Sequence, residues 1–228
     1  MTTVQLIALI AQTFGVLSAC WAIIAGIDAW KREFIGKRQI ELAEEALSTF
    51  FELKDAMAMI RNPLSYDGEG KSRKKSEDEK ADEAKLLDRG YIVFERYETK
   101  KEIFNKFFKL KYRFMAFFGS DTEDIFQLTI KTRDKVFIAA RRLAIHYWPR
   151  QGGQMSDKEF EKHLNKMQKY EGIFWDTYDS GDEIRNDLHE IQVKLEQATK
   201  PVFEQKAKSY EFMTNSIFRR SINKERDK

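Results

Sequence analysis

The chain has 228 residues, a net charge of +3, a mean hydropathy of −0.59 and a single cysteine. One cysteine excludes an internal disulfide framework, thiol–disulfide chemistry and a cysteine-based zinc site. A balance of +3 offers no broad cationic field for a phosphate backbone, so a nucleic-acid partner is not expected.

From Thr2 to Ile27 no side chain is charged, and the run ends in Asp28-Ala-Trp30-Lys31-Arg32. At about 1.5 Å per residue a helix over this stretch reaches roughly 39 Å, against about 30 Å of hydrocarbon. Residues 4–30 are therefore expected to form a transmembrane helix, with the lipid bilayer as partner. Trp30 falls where an interfacial aromatic belongs, and Lys31, Arg32, Lys37 and Arg38 follow it. The positive-inside rule then places the N-terminus outside and the bulk of the chain in the cytoplasm, at the inner (plasma) membrane. A cleaved secretory signal would carry a basic stretch before the apolar run, where this chain has Met1-Thr2-Thr3. Leu17-Ser-Ala-Cys20 has the form of a lipoprotein processing box, and a periplasmic lipoprotein with a helical domain stands as an alternative. The run continues past Cys20 through Ile27, however, where a mature lipoprotein normally starts polar.

Within the run the residues sort by size. Ala8, Gly15, Ala22 and Ala29 repeat at seven-residue spacing, as do Gln5, Gln12, Ala19 and Gly26, and likewise Ala11, Ser18 and Ala25. On a helix these rows adjoin, giving a small-residue face about 100° wide opposite Ile7, Ile10, Phe14, Leu17, Trp21, Ile23 and Ile24. Lipid supplies no hydrophobic drive between helices, so close approach of small residues and hydrogen bonds between helices carry association. Ala8, Ala11, Gln12, Gly15, Ala19, Ala22 and Gly26 are accordingly the expected packing face of a homo-oligomer. Gln12 is placed to hydrogen-bond across it.

A juxtamembrane helix over 31–62 continues the span, with Ile40, Ala43, Leu47, Phe50, Met57 and Ile60 at three- and four-residue steps, until Asn62-Pro63 stops it. Residues 63–81, with Asp67-Gly-Glu-Gly70 and Lys71-Ser-Arg-Lys-Lys75, are expected to be a mobile charged loop. The remainder, 82–218, reads as all-α: a cytoplasmic bundle of four to five long helices. A helix over about 82–118 ends at Gly119. Ser120-Asp-Thr-Glu123 and Ser156-Asp-Lys-Glu159 have the form of capping boxes opening helices to Trp148 and to about Tyr178. The last helix carries Ile184, Leu188, Ile191 and Leu195, is kinked or restarted at Pro201, and frays over 219–228. Phe104, Phe107, Phe108, Phe114, Phe117 and Phe118 with interleaved lysines could suggest base stacking, but a buried aromatic stripe beside a solvated lysine face is the simpler reading.

No Gly-rich phosphate loop, Gly-x-Ser-x-Gly elbow or paired metal-ligand spacing occurs, so neither cofactor nor metal is expected. Arg141-Arg-Leu-Ala-Ile-His146 resembles the Arg-x4-His signature of the HEPN helical-bundle ribonucleases. That resemblance implies His146 acting on a 2′-hydroxyl and Arg141 supporting the phosphate, and makes a membrane-tethered HEPN-like ribonuclease an alternative. Arg142 departs from the small polar residue usual after the Arg, and on a continuous α-helix Arg141 and His146 point about 140° apart. The layout as a whole, with Ala43-Glu-Glu-Ala-Leu-Ser-Thr-Phe-Phe-Glu-Leu-Lys-Asp55, Arg61-Asn-Pro63, the Gly-Glu-Gly loop and Lys200-Pro201, loosely resembles bacterial single-pass membrane-anchored helical proteins and implies no activity. The expectation is a non-enzymatic membrane protein that self-associates through its span, as scaffold, sensor or pore-like effector in bacterial stress or phage defence.

Overall fold

The computed structural model describes residues 3–151 and 153–226; the side chains of 4–10 and 205–226 lie outside that description. All regular structure among the described residues is helical: α1 (Thr3–Ile60), α2 (Ala81–Lys109), α3 (Lys111–Phe118), α4 (Glu123–Arg142), α5 (Asp157–Phe174) and α6 (Glu183–Arg226). The chain divides into two compact units, residues 1–43 with 202–228, and residues 44–201.

The larger unit is built on a core of aromatic and aliphatic side chains. Phe50 of α1, Phe107 of α2 and Phe126 of α4 are fully buried, with Phe107 at 5.6 Å from Phe50 and 4.9 Å from Phe126 between ring centroids. Phe114 of α3 meets Phe126 edge-on at 5.9 Å. Phe104 is buried as well, while Phe117 stays exposed and Phe108 and Phe118 are half-buried. Phe104, Phe107 and Phe114 are thus core, and the other three phenylalanines of the stripe are not. Ile184, Leu188, Ile191 and Leu195 of α6 are buried, as their spacing requires.

Several boundaries differ from those expected. The helix over 82–118 is two helices, because the Leu110 N–H bonds the Phe107 carbonyl at 3.1 Å and tightens the turn while Leu110 is buried. Ser120 does not cap α4. Ser120–Thr122 form a 3₁₀ turn, the Thr122 hydroxyl donates to the Gly119 carbonyl at 2.6 Å, and Glu123 accepts from Lys111 and Gln127 instead of reaching back. The second box does form: the Glu159 carboxylate accepts from the Ser156 N–H at 3.1 Å and from its hydroxyl at 2.7 Å. α5 stops at Phe174 rather than near Tyr178, since Trp175 is extended and Tyr178 has φ 59°. α6 runs through Pro201 and the segment expected to fray, to Arg226; residues 227 and 228 lie outside the described residues.

The charged connection 63–81 is strapped rather than loose. Arg96 of α2 donates to the carbonyls of Ile60, Asn62 and Leu64 and pairs with Glu69 at 2.7 Å. Arg73 pairs with Glu79 at 2.6 Å and with Asp88 at 3.2 Å, and Lys75 with Asp88 at 2.8 Å. Gly70, at φ 81°, donates its N–H to Glu95; a Cβ there would lie 2.0 Å from the Asp88 carbonyl oxygen, so only glycine fits.

Candidate functional site

The expected membrane helix lies within α1, which is long and apolar enough to cross a membrane. Phe14, Leu17, Trp21, Ile23 and Ile24 are each more than 60% exposed, Trp21 reaching 73%. On the other face Ala11, Gln12, Gly15, Ala19, Ala22 and Gly26 are exposed too, and a Cβ added at Gly15 or Gly26 would meet nothing within 4 Å. The side chain of Ala8 lies outside the described residues. Gln12 makes no hydrogen bond among the described residues. Ser18 is satisfied within the helix, its hydroxyl donating to the Phe14 carbonyl at 2.7 Å.

At the end of the apolar run, Trp30 is 63% exposed and stacks on Phe34 at 5.7 Å. Arg38 lies over the Phe34 ring at 5.5 Å and pairs with Glu41 at 3.2 Å. Lys31, Arg32 and Lys37 are exposed. Exposed aromatic rings followed by cations suit a bilayer interface, where one side is apolar and the other wet.

Arg141 and His146 sit where α4 changes character. Arg141 and Arg142 occupy its last turn, where cations are favourable beside the unpaired carbonyls. Leu143–Tyr147 then form a π turn, with the Trp148 N–H bonding the Leu143 carbonyl, before a 3₁₀ turn over Trp148–Arg150. The straight α-helical angle between Arg141 and His146 therefore does not apply. This turn packs closely on α2: a Cβ at Gly90 would lie 2.6 Å from the Ala144 Cβ, so only glycine fits there. Arg141 and His146 are both exposed, and the two share no hydrogen bond. Arg142 is engaged differently, donating to the Tyr170 hydroxyl and lying 5.3 Å from its ring. Arg141 lines a cavity of about 340 Å³ with Arg73, Leu87, Gly90, Tyr91, Phe94, Ala140, Ala144 and Ile145, and His146 does not.

The side chain that sequence reasoning missed is Arg61. It is 1% exposed and caps the C-terminal end of α5, with Nε donating to the Ile173 carbonyl at 2.8 Å and Nη2 to those of Gly172 at 2.9 Å and Trp175 at 2.8 Å. It also forms a two-pronged pair with Asp182, at 3.0 and 2.8 Å. Asp182 in turn caps α6, accepting from the Arg185 N–H at 3.0 Å. Burial opposes ionisation of Asp182, yet hydrogen bonds from Arg61, the Arg185 N–H and the Thr177 N–H, with the Arg61 charge, hold its carboxyl below the usual range. Arg185 pairs with the buried Asp176 at 2.8 Å, completing a charge cluster at the α5–α6 turn. Arg61 and Asp182, and Arg185 and Asp176, are matched, and the cluster ties together the ends of α1, α5 and α6. No group of His, Cys, Asp and Glu with metal-binding geometry occurs among the described residues.

No protein-family model matches the chain, and neither a curated protein nor a solved structure matches it.

Proposed function

We propose that the chain is a single-pass membrane protein whose α1 crosses the inner membrane over residues 4–30, with the N-terminus outside and the helical unit in the cytoplasm. It self-associates through Ala11, Gln12, Gly15, Ala19, Ala22 and Gly26, together with Ala8, and acts without catalysis as a scaffold, sensor or pore-like effector. One observation carries this reading: large apolar side chains from Phe14 to Ile35 stand exposed on a helix that buries none of them. In water such a surface is untenable; a patch of this size marks a membrane or protein contact. The unbranched approach at Gly15 and Gly26 and the unpartnered Gln12 carboxamide supply what one membrane helix needs to pack against another.

The lipoprotein alternative is disfavoured because the apolar run continues past Cys20 through Ile27, where a mature lipoprotein normally starts polar. The ribonuclease alternative rests on Arg141 and His146, which no shared contact joins. Oligomer size of the detergent-solubilised chain, measured for the wild type and for Gly15→Leu and Ala22→Leu, tests the reading. A smaller assembly is expected for both variants; an unchanged one rejects the small-residue face.

A further inference from the structure

The groove between α2 and the π turn has a composition that the membrane reading does not use. Its floor is apolar, formed by Leu87, Tyr91, Phe94, Ala140 and Ala144, with the exposed Ile145 at its edge, and no carboxylate lines it. Its two cations differ in state. Arg73 is 15% exposed in its side chain and already neutralised by Glu79 and Asp88. The Arg141 side chain makes no hydrogen bond, ion pair or ring contact among the described residues. Around it, Ile138 and Ile145 are 50% and 54% exposed, so an unpaired guanidinium stands at an apolar rim above an apolar cavity. The volume, about 340 Å³, falls within the range of small-molecule sites, in which apolar walls hold the body of a ligand and a few polar groups fix its head. One wall, carrying Ala144 and Ile145, is a π turn, a rare helical form concentrated at functional sites.

We propose that this groove binds a small amphipathic anion, with an apolar body over Tyr91, Phe94 and Ile145 and a carboxylate or phosphate head on Arg141. The guanidinium fork suits either head, because two parallel N–H donors match two oxygens of one planar or tetrahedral oxyanion. The apolar walls exclude a purely polar anion, and the unpaired cation discriminates against a neutral alcohol of the same length.

The full chain in phosphatidylcholine nanodiscs, titrated calorimetrically with octanoate and with octyl phosphate against empty nanodiscs, tests this. Octan-1-ol serves as the uncharged control. Saturable binding of at least one anion is expected above the empty-disc background, and the tighter of the two identifies the head group. Arg141→Gln is expected to weaken it at least tenfold without altering the response to octan-1-ol. Ile145→Glu, a change at an exposed position, weakens it comparably by setting a like charge at the mouth, with the thermal unfolding midpoint of both variants preserved. Heats that match empty nanodiscs, or an affinity unmoved by Arg141→Gln, would overturn the proposal.

Discussion

Arg61 shows how one side chain can hold three helix ends. A buried ion pair is a weak source of net stability, because desolvation of both charges offsets most of their attraction, and well-packed apolar replacements are often neutral or better. Arg61 differs in that its fork also satisfies the carbonyls of Gly172, Ile173 and Trp175. Arg61→Met therefore costs about 3–5 kcal/mol by stranding the Asp182 carboxylate, and more through the carbonyls it leaves unmet. The double change Arg61→Met with Asp182→Asn should recover only part of that loss, since three carbonyls stay unmet, each at about 1–3 kcal/mol. Chemical denaturation of the detergent-solubilised variants measures both; full recovery in the double variant would reduce Arg61 to an ion-pair partner. The pH dependence has a definite sign. Asp182 and Glu69 are held below their usual values, Glu69 chiefly by hydrogen bonds from Arg96. The stability they add is complete above the unfolded carboxylate values of about 4 and is lost as pH falls through the lower folded values. Asp182→Asn keeps a capping residue but should lower stability at neutral pH and flatten the acid limb of the stability profile.

Among the elements, two segments of the same sequence form met different fates. Ser156 and Glu159 close a capping box, whereas Ser120 and Glu123 do not, because a 3₁₀ turn intervenes and Lys111 draws Glu123 away at 2.8 Å. Ser156→Ala should therefore destabilise by about 1 kcal/mol and Ser120→Ala by much less, a contrast that thermal unfolding by circular dichroism resolves. The comparison marks what the sequence made legible. Local grammar was readable: Asn62-Pro63 ends α1, the 184–195 spacing marks the buried face of α6, and Phe104, Phe107 and Phe114 of the phenylalanine cluster form core. What depends on distant partners was not. Arg61 before Asn62-Pro63 reads as a charge at a helix end, and its acceptors lie more than a hundred residues away in sequence. Likewise the polar composition of 63–81 suggested mobility, while Arg96 and Asp88, the groups that strap it, sit inside α2. The π turn after α4 was not anticipated: Pro149 marks the end of the helix in the sequence, but not the widened turn before it or its packing on Gly90.

At the scale of the whole molecule, the proposed membrane arrangement makes anchoring and orientation rest on different parts of α1, which can be separated. Insertion depends on the apolar surface from Phe14 to Ile35, whereas orientation depends on cations beside the span, with acidic residues such as Asp28 and Glu33 contributing little. Replacing Lys31, Arg32, Lys37 and Arg38 together by Gln removes the orienting charge while leaving the apolar run intact. An alkaline phosphatase fused after residue 60 reports the side reached, since it is active only outside the cytoplasm. The wild-type fusion should be inactive and the four-fold variant should gain activity, with both remaining in the membrane after an alkaline carbonate wash. An active wild-type fusion would mean that the helical unit lies outside, which is the lipoprotein arrangement. Loss of the variant from the membrane would instead mean that the cations at 31–38 hold the chain by attraction to anionic headgroups, and that α1 lies on the bilayer rather than through it.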